Sequence, residues 1–132
     1  MKDILVYPVY IQEYEDYYCV RIPDFDQYTE GHTIGEAMMM ARDCISSLGI
    51  YFEDEGKEIP APFSVKSSPE GKEKLFMIDV NFDEYRVRYE NKMVKKNCTI
   101  PLYLEREAEK QGLNFSRILS EALAQRLSIH LT

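Results

Sequence analysis

The sequence predicts an α+β protein in two parts, a β-β-β-α-β unit followed by a strand-helix-helix unit. Three observations carry that expectation. Short β-rich apolar runs alternate with turn residues up to residue 31, and a well-marked helix and one more apolar strand follow. After residue 93 the pattern becomes one short strand, then two helical stretches separated by Gly112. The charge also changes sign along the chain. Residues 1–85 hold 7 Lys+Arg against 18 Asp+Glu, a net of −11, and residues 86–132 hold 9 against 5, a net of +4. An acidic body suits a cationic partner or serves only for solubility; a basic tail suits phosphate.

Ile4–Ile11 is a β-rich run broken by Pro8, which suggests an edge strand or a bulge because proline brings no amide to a ladder. Glu13–Asp16 is a polar turn, and Tyr17–Ile22 is a second strand, so the two form a hairpin. Pro23-Asp24 ends it, and Gln27–Glu30 is a short third strand. Thr33-Ile34-Gly35-Glu36 has the form of a capping box, which opens a helix running to about Asp54. Its buried stripe is Ala37, Ala41, Cys44, Ile45, Leu48 and Phe52. Met38, Met39 and Met40 cannot share one face, and Met39 is expected outside.

Glu55–Lys74 holds three prolines and two glycines and reads as a loop. Leu75–Phe82 is the next strand, with Phe76, Ile78, Val80 and Phe82 on one face. The first domain is placed at residues 1–83 and a connector, helix or coil, at 84–93.

Val94–Ile100 is a strand closed by Pro101, a residue suited to the start of a helix. The first helix, marked by Leu102, Leu104, Ala108 and Gln111, stops at Gly112. Asn114 caps a second, whose apolar positions are Ile118, Leu119, Ala122, Leu123, Leu127 and Leu131. Such a unit, at 94–132, is too small to bury its own core, and its lone strand leaves a row of backbone groups unpaired. Two copies pairing strand to strand solve both problems, so a homodimer is expected. Lys95, Asn97 and Thr99 share one strand face, short, polar and rich in donors, which suits a two-stranded ribbon in the major groove of DNA. The stretch resembles a ribbon-helix-helix domain. That resemblance implies base reading by Lys95, Asn97 and Thr99, and phosphate binding at the second helix start by Asn114, Phe115 and Ser116. Lys92, Arg86 and Arg88 add non-specific attraction. The alternative is a dimerisation module whose polar strand face is only solvated.

In the first part, Tyr7-Pro8 with Val9–Glu13, Cys19–Asp24, Gly31-His32-Thr33-Ile34-Gly35-Glu36-Ala37 and Glu58-Ile59-Pro60 resemble the HicB antitoxin family. Two departures stand out: Phe25-Asp26-Gln27 replaces the family's Pro-Gly turn, and Lys96 replaces an apolar strand residue. The resemblance implies a partial RNase H-like domain that binds and silences a HicA-type RNA-cleaving toxin. The tail implies a dimeric repressor of operator DNA in the shared operon. The toxin-facing residues are left open. An orphan regulator with a ligand-binding or oligomerising first domain is the rival.

No enzyme activity, cofactor or metal is expected. A two-metal nuclease needs converging carboxylates. Asp3, Glu13, Asp24, Asp26, Asp43 and Asp79 qualify by type, but residues 4–11 contain none. His32 and His130 stand alone. Cys19, Cys44 and Cys98 are far apart in apolar surroundings and are expected as buried thiols. No apolar run reaches 18 residues and no signal peptide precedes the first strand, so no membrane association and a cytoplasmic location are expected.

Overall fold

A computed structural model describes residues 4–129. The chain divides after Asn91 into two compact units. The first contains β1 (Leu5–Glu13), β2 (Tyr18–Ile22), a 3-10 turn (Pro23–Phe25), β3 (Gln27–Gly31), α1 (Ile34–Asp54), β4 (Lys74–Val80) and α2 (Phe82–Tyr89). Its strands form one antiparallel sheet in the order β3-β2-β1-β4.

That order corrects the expectation from Pro8. β1 is an interior strand, yet its pairing with β2 begins only at Tyr10, opposite Arg21, so at Pro8 the strand is flanked by β4 alone. A residue without an amide is tolerated where one side of the ladder has already ended.

Alternation along the strands sets the two faces. Tyr7, Val9 and Ile11 of β1, Val20 and Ile22 of β2, and Ile78 and Val80 of β4 meet Ala37, Ala41 and Ile45 of α1 in one core. Cys44, Leu48 and Phe52 pack at its margin, and Met39 is exposed, as the helical spacing requires. The opposite sheet face carries the row Tyr28, Arg21, Tyr10, Leu75 across the four strands. The 55–73 segment reaches over part of it. Arg21 makes two hydrogen bonds to Glu73 (2.7 and 3.1 Å) and one to the Ser68 carbonyl, and lies 4.6 Å from the centre of the Tyr10 ring.

The start of α1 follows the capping pattern, with one change of partner. The Glu36 amide donates to Thr33 Oγ1 at 3.0 Å, while the Glu36 carboxylate reaches the amide of His32 rather than that of Thr33. Gly31 is required there by space. A Cβ on it would lie 2.5 Å from the Ala37 nitrogen and 2.8 Å from the Ala37 Cα. The end of β3 touches the first turn of α1, and only a residue without a side chain fits.

The fourth strand is shorter than its alternation suggests. It stops at Val80, and Asn81 caps α2 by accepting from the Glu84 amide at 3.0 Å. Phe82 still reaches the core, carried by a helix instead of a strand, and lies so close to α1 that a Cβ on Gly49 would sit 2.1 Å from its ring. The expected connector, 84–93, therefore carries most of α2, and the first unit continues to Asn91.

The second unit holds α3 (Leu102–Lys110) and α4 (Phe115–Leu127). Pro101 is the capping residue before α3, Gly112 takes φ +66° after it, and Asn114 caps α4 through the Arg117 amide at 3.0 Å. The expected strand, Val94–Ile100, has no ladder among the described residues. A strand is completed by a neighbour, and this unit supplies none among the described residues. Cys98 is consequently exposed, against the expectation of a buried thiol, while Cys19 and Cys44 are half-buried and burial raises both their pKa values. Asp3, His130 and Leu131 lie outside the described residues.

Candidate nucleic-acid and protein interfaces

The second unit presents the sequence-predicted residues without hiding any of them. Lys95, Asn97 and Thr99 are exposed along the 94–100 segment. Asn114 gives its side-chain oxygen to the third residue of α4, so the amides of Phe115 and Ser116 remain as first-turn donors at the positive end of the helix. The structure thus brings Asn114, Phe115 and Ser116 together by local geometry. The strand trio shares only its segment and its alternation.

What surrounds these residues is apolar. Ile100, Leu102, Leu104, Leu113, Phe115, Ile118, Leu119, Leu123, Leu127 and Ile129 are all exposed, and among the described residues of the unit only Ala124 is buried. A soluble domain rarely leaves so many large apolar side chains in water.

Two basic residues of α2 in the first unit are committed to carboxylates. Arg86 holds Glu53 and Asp54 at 2.7 Å each and Glu90 at 3.1 Å, and the hydrogen bond to Asp54 first among them pushes its pKa up. Arg88 lies 3.6 Å from Glu84. Arg86 is therefore tied into the acidic end of α1.

In the first unit Asp24, Asp79 and Asp43 are also engaged. Asp24, only 6% exposed, accepts from the Phe63 amide (2.9 Å), the Val65 amide (3.0 Å) and the Ser64 hydroxyl (3.2 Å). Asp79 takes Arg42 at 2.7 Å, and that hydrogen bond holds its carboxyl below the usual range. Asp43 accepts from the Tyr85 hydroxyl. No group of three metal-ligating side chains occurs among the described residues.

Sequence reasoning missed the turn that Asp24 clamps. The Ser64 amide donates to the Ala61 carbonyl, with Pro62 and Phe63 between them, and Phe63 takes φ +60°. That turn position favours glycine or asparagine. A beta-carbon there costs on the order of 1 kcal/mol. The signal in the sequence is Ala61-Pro62-Phe63-Ser64, a proline-led turn with an aromatic residue where glycine is usual. Nearby, Tyr7 donates to the Pro60 carbonyl at 2.6 Å, and burial, then the charge of Asp24, pushes its pKa up to about 12.

No family model and no curated protein matches the chain. Among solved structures, a chain of a toxin-antitoxin complex from Streptococcus pneumoniae is similar, with a TM-score of 0.55 and 24% identity. The match covers 94% of this chain and 99% of that one. At that identity the likeness speaks for the fold, an α+β arrangement with a four-stranded antiparallel sheet followed by helices. No helix among the described residues is long and apolar enough to cross a membrane.

Proposed function

We propose that this protein is the antitoxin of a HicAB-type toxin-antitoxin pair. Its first unit binds and neutralises a basic, RNA-cleaving HicA-type toxin, and its second unit dimerises as a ribbon-helix-helix and represses the shared operon. The observation that carries the reading is the second unit, which buries one of its described residues while exposing thirteen large hydrophobic ones, from Met93 to Ile129, around a helix cap and a polar strand segment. The fold likeness to a chain of a toxin-antitoxin complex supports it, as does the split of charge between the two parts of the chain.

In the dimer, two copies of Val94–Ile100 pair antiparallel, which satisfies the backbone groups that a single copy leaves to water. The helices of the two copies interlock and cover the leucines of α3 and α4. Lys95, Asn97 and Thr99 of both strands then face base edges, where asparagine pairs bidentately with adenine and lysine donates to guanine. The amides of Phe115 and Ser116, with the Ser116 hydroxyl, hold a backbone phosphate and fix the register. The chain acts by covering and by binding; the reading assigns it no catalysis.

The test is a gel shift on the chain's own promoter. Asn97→Ala is expected to weaken binding by roughly 1–3 kcal/mol and to relax base preference. Unchanged affinity and preference would remove Asn97 from the interface. A small basic reading frame beside the gene favours the antitoxin; its absence favours an orphan regulator with the same tail.

A further inference from the structure

We propose that the turn Ala61–Ser64, tipped by Phe63, is the anchor with which the first unit grips a basic protein partner. The inference rests on the antitoxin reading and deepens it, because that reading leaves the toxin-facing surface open.

The first argument is conformational. Phe63 occupies the one turn position that most favours glycine, at φ +60°, and the residue is 58% exposed. The backbone strain is not offset by burial of the ring in the core. A residue kept in a disfavoured conformation with its apolar side chain in water points to use by something outside the fold.

The second argument is rigidity. The buried Asp24 carboxylate holds the amides on either side of Ser64, and the Ala61–Ser64 hydrogen bond closes the turn. Tyr7 fixes the chain just before it through the Pro60 carbonyl. The ring is thus presented on a backbone already ordered, so docking costs little further entropy. Large aromatic side chains so placed dominate the energetics of interfaces.

The third argument is charge, and it selects the occupant. Asp24 adjoins Phe25, whose ring stacks on Phe52 at 6.1 Å. Beyond Phe52, Glu53 and Asp54 are held by Arg86, while Glu55 and Glu58 are exposed. Asp26 lies on the other side of Phe25 and is exposed. An exposed aromatic tip on a unit whose residues 1–85 carry a net charge of −11 fits a partner whose surface is basic. Nucleic acid would be repelled. So would a second copy of this unit, since residues 1–85 carry a net charge of −11.

The experiment uses the full-length chain and the small basic protein encoded beside it, with affinity measured calorimetrically for the wild type, Phe63→Gly, Phe63→Asn and Met77→Ser. Glycine and asparagine both accept positive φ, so these variants delete the ring without disturbing the turn. The expected result is a loss of about 30-fold or more in affinity for both Phe63 variants, the range of an interface hot spot. Their melting temperatures should equal or exceed that of the wild type. Met77 is a comparably exposed apolar residue on the open sheet face, and its variant should bind like the wild type. Phe63 variants binding within about threefold of wild type, well below a hot-spot effect, would overturn this inference and leave the antitoxin reading standing. Loss of affinity as large in Met77→Ser would also overturn it. No complex with the wild-type chain would overturn both.

Discussion

Asp24→Ala offers a direct measure of how the first unit holds its longest loop. The carboxylate is almost fully buried and accepts three hydrogen bonds, at 2.9, 3.0 and 3.2 Å, from residues 39 to 41 positions away. Hydrogen bonds to a charged acceptor contribute roughly 1.5–3 kcal/mol each when they are buried. Phe63 and Val65 are themselves exposed, so their freed amides regain water and the lower end of that range applies. Two further effects reduce the loss: alanine removes a charge that was costly to bury, and release of the turn relieves the strain at Phe63. The net expectation is a destabilisation of about 2–3 kcal/mol. Asp24→Asn keeps an oxygen for Val65 and Ser64 but turns an amide towards the Phe63 N–H, and should cost about half as much. The chain has ten tyrosines and no tryptophan, so urea unfolding is followed by tyrosine fluorescence and near-ultraviolet circular dichroism. Hydrogen exchange at Phe63 and Val65 reports the turn directly. A loss under about 0.5 kcal/mol, the size of an ordinary surface substitution, with protection at both amides unchanged, would refute the clamp.

Gly31→Ala should destabilise the first unit by at least 2–3 kcal/mol, roughly the cost of overpacking, because the new Cβ meets the backbone of Ala37, which cannot rotate away; a melting temperature equal to wild type would contradict that contact. Leu123→Asp, on the exposed apolar face of α4, should convert a dimer to monomers in sedimentation equilibrium, and a dimer that survives the change places the interface elsewhere. The folded pKa of Tyr7 is raised to about 12 from an ordinary 10, so its contribution is fully present below pH 10 and is lost as pH rises through 12. Alkaline unfolding of Tyr7→Phe, monitored by circular dichroism, should therefore be shallower over that window than in the wild type. Glu73 runs the other way. Its hydrogen bonds with Arg21 lower its pKa, so the pair stabilises the fold above the usual glutamate range and fails as pH falls through the depressed value; Glu73→Gln should flatten the acid limb.

Features decided by a few consecutive residues were legible in the sequence. Thr33 and Glu36 mark the start of α1 and Asn114 that of α4, because a cap joins groups three residues apart. Gly112 ends the α3 region because a glycine accepts positive φ at little cost. Helical spacing named Ala37, Ala41 and Ile45, and alternation along the fourth strand named Ile78 and Val80, because periodicity determines which side chains share a face. The core residues of the first two strands were not singled out. Asn81 was a readable cap as well. The apolar pattern through Phe82 hid it, because a strand and the first turn of a helix can deliver the same ring to the same core.

The tertiary structure decided what depends on residues far apart. Pro8 signals an edge, but the return of β4 along β1 makes that strand interior. Asp24 looks like one acid among many until the 61–65 segment folds onto it, and Arg86 looks like free positive charge until α2 sets it against the end of α1. No spacing rule reaches across those separations; the partners are chosen by how the strands and the long loop close around the core. Sequence alone thus determined most of the elements, the buried stripe of the long helix and the opposite charge of the two parts of the chain. Packing determined which charges are spent inside the first unit, and which aromatic ring is left outside it.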